Sequence, residues 1–322
     1  MKKIFRFSSN TDVSSKNLNF LKLKNYSNRD KIRDKLDKFV RRPIYNYIYK
    51  DFFKFQDYQI NQVLPSKGFS ILERRKKLNE IKEIENKTIL NIGCGNGFDY
   101  HHWFKFRPKK IVGIDVLNYK TSWQTVKKFV KDEKIRTKVE FYKLDVVNFD
   151  YKKKFDFIVS DAVFEHCRDF PKVIKNCYRL LKKNGVLYAS YGGPLWYTYG
   201  GDHFSGRDDI LNGFNHLLLN KKKYKAYFNK NVRSLEYELN EGGGGGVLVQ
   251  KNLFSKLSGN EYMKIFSQNN FFSVKTYVEF CPIGYNLIKK NKILRGKLTK
   301  KNPNIDIENY YLKTHIVYLK KK

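Results

Sequence analysis

The sequence has little of what builds small stapled or metal-clamped folds. Four cysteines among 322 residues form no CxxC pair, which argues against a disulfide scaffold and against a Cys-rich zinc site. No run of 18 apolar residues occurs, so no membrane-spanning helix is expected. The opening MKKIFRFSSN carries basic residues but no apolar h-region, so it does not read as a secretory signal. Acidic residues are scarce beside basic ones, 31 against 65, for a net charge of +34. What is abundant is apolar and aromatic: 41% hydrophobic and 16% aromatic residues supply a core and argue against global disorder. The length allows one large domain or two ordinary ones. Together these features predict a soluble, cytoplasmic protein with a very basic exterior.

The charge has two readings. Clustered Lys and Arg would mark a polyanion partner, because they release counterions from nucleic acid. Yet 14 of the 65 basic residues are Arg, leaving 51 Lys. Dedicated nucleic-acid surfaces lean more on the Arg fork. Lys, Asn, Ile, Phe and Tyr share AT-rich codons, so a compositional habit would raise them together. The basic residues spread over helices, termini and loops, which favours a Lys-rich solvated exterior and leaves an RNA partner as the alternative.

The chain divides into four stretches. Residues 1–65 are polar at the start and turn aromatic over Arg41–Ile60, with spacing that fits a helix or helix pair. After a break at Pro65 and Gly68, ILERRKKLNEIKEI reads as an amphipathic helix. Residues 66–190 then alternate strands with helices: KTILNIG, KKIVGIDV, KVEFYKLDVV, FDFIVSDAV and GVLYASYGG are the strands. This alternation predicts an α/β, Rossmann-like, doubly wound and mostly parallel sheet. FPKVIKNCYRLLKKNG is a helix with Gly185 as its stop signal. Residues 191–246 are loop-rich and aromatic and hold the run Gly242–Gly246, which reads as a flexible segment. Residues 247–322 return to a helix and two strands, FFSVKTYVEF and THIVYLKKK.

The strongest motif is ILNIGCGNG. Gly93, Gly95 and Gly97 follow a buried strand and precede a helical stretch, where the backbone must turn sharply and let a ligand approach. Asp115 ends the second strand, 22 residues after Gly93, about where such folds hold ribose hydroxyls. Asp145 and Asp161 close the third and fourth strands. Ligands of these sheets lie beyond the carboxyl ends of the strands, so all these groups point into one crevice. Helix capping is the ordinary alternative for any single Asp.

NIGCGNG, GIDV, KLDV, FDFIVSDAVFEH and YRLLKKNGVLYAS, in this order, resemble the class I S-adenosylmethionine-dependent methyltransferases, of the small-molecule type with a GCGxG loop. The resemblance covers about a third of the chain. It implies a sheet completed by an antiparallel C-terminal strand, N-terminal helices over the mouth of the crevice, and residues 191–246 as a substrate lid. It implies S-adenosyl-L-methionine as cofactor, with Gly93, Cys94, Gly95 and Gly97 along its methionine part. Asp115 would hold both ribose hydroxyls, Asp145 the adenine amino group with Val146 beside the ring, Ser160 and Asp161 would sit near the methionine end, and Val116 is a further cofactor-binding residue. Asn91 stands where the family usually has Asp or Glu.

Methyl transfer from a sulfonium is an in-line displacement in which alignment matters most. A hydroxyl acceptor also benefits from a base. His203, preceded by Asp202, and His166 are the candidate bases. Glu165, Tyr191, Trp196 and Tyr199 are candidate acceptor contacts, through cation–π attraction for the aromatics, or simply packing residues. No (N/D/S)PP(Y/F) motif follows the fourth strand, and no cysteine follows a proline, which argues against base N6- and cytosine C5-methylation. No metal site is expected, Asp202, Asp208 and Asp209 being a weak cluster. The reading is methyl transfer to a small-molecule or glycan-type acceptor, on oxygen. A thiol or sulfide acceptor, an RNA acceptor, and a non-catalytic binding protein supported only by Asn91 are the alternatives. The oligomeric state is not readable.

Overall fold

The structure is a computed structural model that describes residues 28–54, 59–65, 68–192, 196–197, 213–220, 222–224, 226 and 254–322. The seven predicted strands and one more, β1, form one sheet. They are β1 (Gln62–Leu64), β2 (Thr88–Ile92), β3 (Lys110–Asp115), β4 (Lys138–Lys143), β5 (Phe155–Asp161), β6 (Leu181–Gly192), β7 (Phe271–Phe280) and β8 (Leu312–Lys321). Their spatial order is β1-β7-β8-β6-β5-β2-β3-β4. β8 pairs antiparallel with both β6 and β7, and every other pairing is parallel. The sheet is therefore mostly parallel with one antiparallel C-terminal strand, as expected.

The parallel strands are apolar on both faces because helices cover both. Ile89, Ile111, Phe157 and Val159 point to one cluster; Leu90, Ile92, Val112, Ile114 and Ile158 point to the other. This is the two-residue period of a pleated strand. Burying one such side chain contributes about 1.5–3 kcal/mol.

The helices are α1 (Asn28–Leu36), α2 (Arg42–Tyr49), α3 (Ile71–Ile81), α4 (His101–Phe104), α5 (Lys120–Asp132), α6 (Phe170–Leu180), α7 (Asn215–Leu218), α8 (Gly259–Gln268), α9 (Pro282–Lys290) and α10 (Lys292–Lys301). A capping box starts α3: Ser70 Oγ accepts from Glu73 N at 3.3 Å, and Glu73 Oε2 accepts from Ser70 N at 2.9 Å, a device that satisfies two end donors at once. α6 buries Phe170, Val173, Ile174, Cys177 and Leu180 against the sheet.

Three features differ from the sequence expectation. Within residues 1–65, β1 joins β7 at the sheet edge, and Asn61 Oδ1 accepts from Thr276 N at 2.6 Å; three residues are too few to show a period. α6 stops at Leu180, not at Gly185. Asn184, at φ 58°, makes the left-handed turn, which Asn tolerates, while a Cβ at Gly185 would lie 2.5 Å from Leu181. The hairpin of α9 and α10 between β7 and β8 was not anticipated. Most of residues 191–246, with the Gly242–Gly246 run, lies outside the described residues.

Candidate functional site

The glycine loop is built as its spacing requires. Gly93, Gly95 and Gly97 sit at φ +66°, +51° and +74°, the left-handed region that glycine enters without a Cβ penalty. Gly93 N and Cys94 N both donate to Ile114 O, at 2.8 and 3.1 Å, which ties the loop to β3. A Cβ on Gly93 would stand 2.1 Å from Val163, and one on Gly97 would stand 2.9 Å from the Phe141 ring. A Cβ on Gly95 would meet nothing within 4 Å. The outer glycines serve close packing, and the middle one faces open space.

Asp115, the last residue of β3, reaches that middle glycine. Its Oδ2 accepts from Gly95 N and its Oδ1 from Leu117 N, each at 2.9 Å. Burial raises its carboxyl above the ordinary range, against the lowering by the Leu117, Gly95 and Val116 amides. Each oxygen keeps a lone pair for a ligand. Trp123 Nε1 donates to Gly95 O at 2.7 Å, and its ring stacks on Phe141 at 5.4 Å and 5°. Asp145 lies exposed two residues beyond β4 and accepts from Val147 N at 2.9 Å. Val116 is 53% exposed beside Asp115.

The β5 side of the sheet is filled instead by a charge network. Asp161, the last residue of β5, accepts from the Tyr188 hydroxyl, from Ser190 Oγ at 2.9 Å, from Arg75 Nη2 at 2.5 Å and from Arg74 Nη1 at 3.4 Å. Burial alone would raise this carboxyl; the Arg75 and Arg74 charges, with the Tyr188 bond, hold it below the usual range. Arg75 is fully buried, lies 4.0 Å over the Trp103 ring and reaches Asp99 at 3.2 Å. Arg74 continues to Glu279 at 3.3 Å, which accepts from Thr314 Oγ1 at 2.9 Å. The network thus ties α3 to β5, β6, β7 and β8.

Glu165 stands next to this network, in a short turn of helix after β5. It is 6% exposed. Its Oε1 accepts from Gly192 N at 3.1 Å, and its Oε2 is buried with no hydrogen-bond partner among the described residues. Burial raises its pKa to about 7, with the Glu165 and Gly192 backbone amides opposing and the Asp161 charge adding. Such a carboxyl exchanges a proton near neutrality, which suits acid–base work. His166, beside it, packs its ring 5.1 Å from that of Phe254.

The profile of a family described as a methyltransferase domain matches residues 83–270, which carry the glycine loop, Asp115, Asp161 and Glu165. The chain belongs to the class I S-adenosylmethionine-dependent methyltransferases. It is similar to the tRNA U34 carboxymethyltransferase of Campylobacter jejuni, 30% identical over 110 residues, which are 34% of this chain and 36% of that protein. It is also similar to the ubiquinone biosynthesis O-methyltransferase of Pelagibacter ubique, 30% identical over 121 residues, or 38% of this chain and 48% of that protein. The matches thus span between a third and a half of these relatives' own length. Among solved structures, an S-adenosylmethionine-dependent methyltransferase of Mesorhizobium loti is 12% identical, over 78% of this chain and 99% of that one, with a TM-score of 0.46.

The methyltransferase's residues fit the family's cofactor. The open space at Gly95, the remaining lone pairs of Asp115 and the exposed Asp145 suit a nucleoside with a diol and an amino group.

Several predicted site residues have their side chains elsewhere. Asn91, 4% exposed, lies mid-strand in register with Gly113 and Val159. Ser160 is fully buried and donates to Ile92 O at 3.3 Å. The Cys94 thiol and Val146 are buried too. Asn91 and Ser160 are covered because their strands are packed on both faces, and Cys94 and Val146 are buried in the turns that follow β2 and β4. Tyr191, expected to contact an acceptor, is 1% exposed, with its hydroxyl 2.9 Å from His315 Nδ1; it is a core residue. Trp196 donates to Leu257 O at 3.1 Å and packs against the small cluster that holds Phe214, Leu217, Ile288, Leu298 and Tyr310, so it too serves packing. Tyr199, Asp202 and His203 lie outside the described residues. Arg74, Arg75 and Asp99 were missed. Their available signal was an Arg pair in a helix otherwise rich in Lys, and an acid two residues after the last loop glycine.

Proposed function

We propose that this methyltransferase transfers a methyl group to an oxygen of a small-molecule or glycan-type acceptor, at the carboxyl ends of β5 and β6. The observation that carries the reading is Glu165, a buried carboxyl raised to about 7 with one unpartnered oxygen. An alcohol or phenol must lose a proton as it is methylated, whereas a thiolate needs no such help. The O-methyltransferase among its relatives supports the same choice.

S-adenosylmethionine, when bound, supplies an electrophilic methyl group on a cationic sulfur. Gly95 and Asp115 would hold its ribose, and Asp145 would accept from its adenine amino group. Asp161, clamped by Arg74 and Arg75, fixes the wall of β5 against which acceptor and methyl group are aligned. Glu165 Oε2 takes the acceptor's proton. In this reading residues 66–190 are the cofactor-binding core, and the protein works in the cytoplasm.

The test is formation of S-adenosylhomocysteine from a panel of phenols, sugar alcohols and thiols. The expected result is turnover with hydroxyl acceptors. E165Q should lower it by about 10²–10⁴-fold with cofactor affinity kept. Full turnover by E165Q removes Glu165 from the chemistry.

An RNA acceptor is the second reading, favoured by the net charge of +34 and the tRNA-modifying relative. Steeply salt-dependent binding of tRNA, with methylation of it, would replace the first reading.

A further inference from the structure

The N-terminal helical segment carries an apolar stripe that no described residue covers. Ile32, Leu36, Phe39 and Tyr47 are 60%, 56%, 67% and 90% exposed, and Val40, Ile44 and Ile48 are about half exposed. Between α1 and α2 lies a wider π turn, Asp37–Arg41. The stripe advances in steps of three to five residues. Over a straight α-helix that spacing would drift around the axis; the wider turn takes up the drift and keeps the residues on one side.

The opposite side of α2, which continues α1 through the π turn, is pinned to the body. Tyr49 stacks on Phe280 at 4.0 Å, and Asn46 Oδ1 accepts from Val63 N at 3.0 Å. Arg42 donates to Glu73 at 2.9 Å. Glu73 precedes Arg74, so the segment sits beside the helix that serves the crevice. The stripe therefore faces outward by construction.

Charge frames the stripe. Residues 28–49 carry seven basic and three acidic side chains. At about 100° per residue, Arg29 and Arg33 lie along one border of the Ile32–Leu36 line and Lys31 and Lys35 along the other. Arg29, Lys31, Lys35 and Lys38 are exposed and make no ion pair among the described residues. An apolar stripe between two basic borders is the pattern of a helix lying in a lipid interface, apolar side in the acyl boundary and cations at anionic headgroups. A second copy of this chain would bring these same cations together, which disfavours self-pairing.

We propose that residues 28–49 are an interfacial anchor that seats this protein on an anionic phospholipid surface. Among the described residues no helix is long and apolar enough to cross a membrane, so attachment is peripheral and falls with salt. The crevice would then open beside the bilayer, where an amphiphilic acceptor could enter.

The test is co-sedimentation of the full chain with vesicles of phosphatidylcholine containing one third phosphatidylglycerol, against pure phosphatidylcholine. Binding to the anionic vesicles is expected, at least about tenfold stronger than to neutral ones and weaker at high salt. F39D/Y47D should lower it by at least about tenfold, and K31E/K35E should lower the anionic preference. Both pairs are exposed, so unchanged circular dichroism and melting should accompany the loss. Equal binding to both vesicles, no binding, or binding untouched by F39D/Y47D would overturn the proposal. So would a dimer in sedimentation equilibrium that F39D/Y47D converts to a monomer, which would assign the stripe to a second copy.

Discussion

The two halves of the crevice are built on opposite plans. Along β2, β3 and β4 the strand ends carry an open glycine loop, and the acids there, Asp115 and Asp145, bond only to backbone amides. Along β5 and β6 the strand end is closed: Asp161 spends itself on two arginines, a tyrosine and a serine. The first half keeps acceptor capacity for a ligand. The second uses its charge to fix geometry, and beside it leaves one carboxyl, Glu165, incompletely satisfied. Position at a strand end alone does not make an acid a ligand-binding group; its existing partners decide.

The contrast can be broken most severely at Asp161. D161N takes from the buried Arg75 the nearer of its two carboxylates, leaving Asp99 at 3.2 Å, and should cost about 3 kcal/mol in chemical denaturation. The carboxyl is held low in the fold. Its contribution is therefore present above the ordinary carboxylate range and is lost as pH falls through the folded value. A smaller effect of opposite sign is expected at Glu165, whose pKa is raised from 4.5 to about 7. Its contribution is complete below its unfolded value and is lost as pH rises toward about 7, by at most about 3 kcal/mol. E165Q should flatten that stretch of the stability–pH curve; an unchanged curve would mean that Glu165 is hydrated and ordinary. The glycine loop gives a graded pair of effects, the smaller at Gly95. G93A meets Val163 as well as a left-handed backbone and should cost about 2–4 kcal/mol. G95A meets open space and should cost only about 1 kcal/mol, while its methyl group narrows the cofactor's space. Equal costs would show that Gly95 is packed as tightly as Gly93.

Much of this was legible in the sequence, for a physical reason. Strands covered on both faces must be apolar throughout, and a loop that turns at their ends must be glycine, so Thr88–Ile92 and Gly93–Gly97 announce themselves locally. Asp115 is visible because its distance from the loop is one strand–helix–strand unit. The Arg74–Asp161–Glu279 network was not legible, since its members are 87 and 205 residues apart and no local pattern links them. Tyr191 read as a pocket aromatic because an aromatic after a strand looks the same whether it faces a ligand or His315. β1 and the α9–α10 hairpin were hidden by brevity and by low contrast with the Lys-rich background.

Calorimetric titration of S-adenosylmethionine into the wild-type protein and into D115A tests the central claim most directly. The account predicts saturable binding by the wild type and a loss of about 100-fold in D115A, about 2.7 kcal/mol, with D161N, where it still folds, losing far less. No binding by the wild type, or equal binding by D115A, would contradict it.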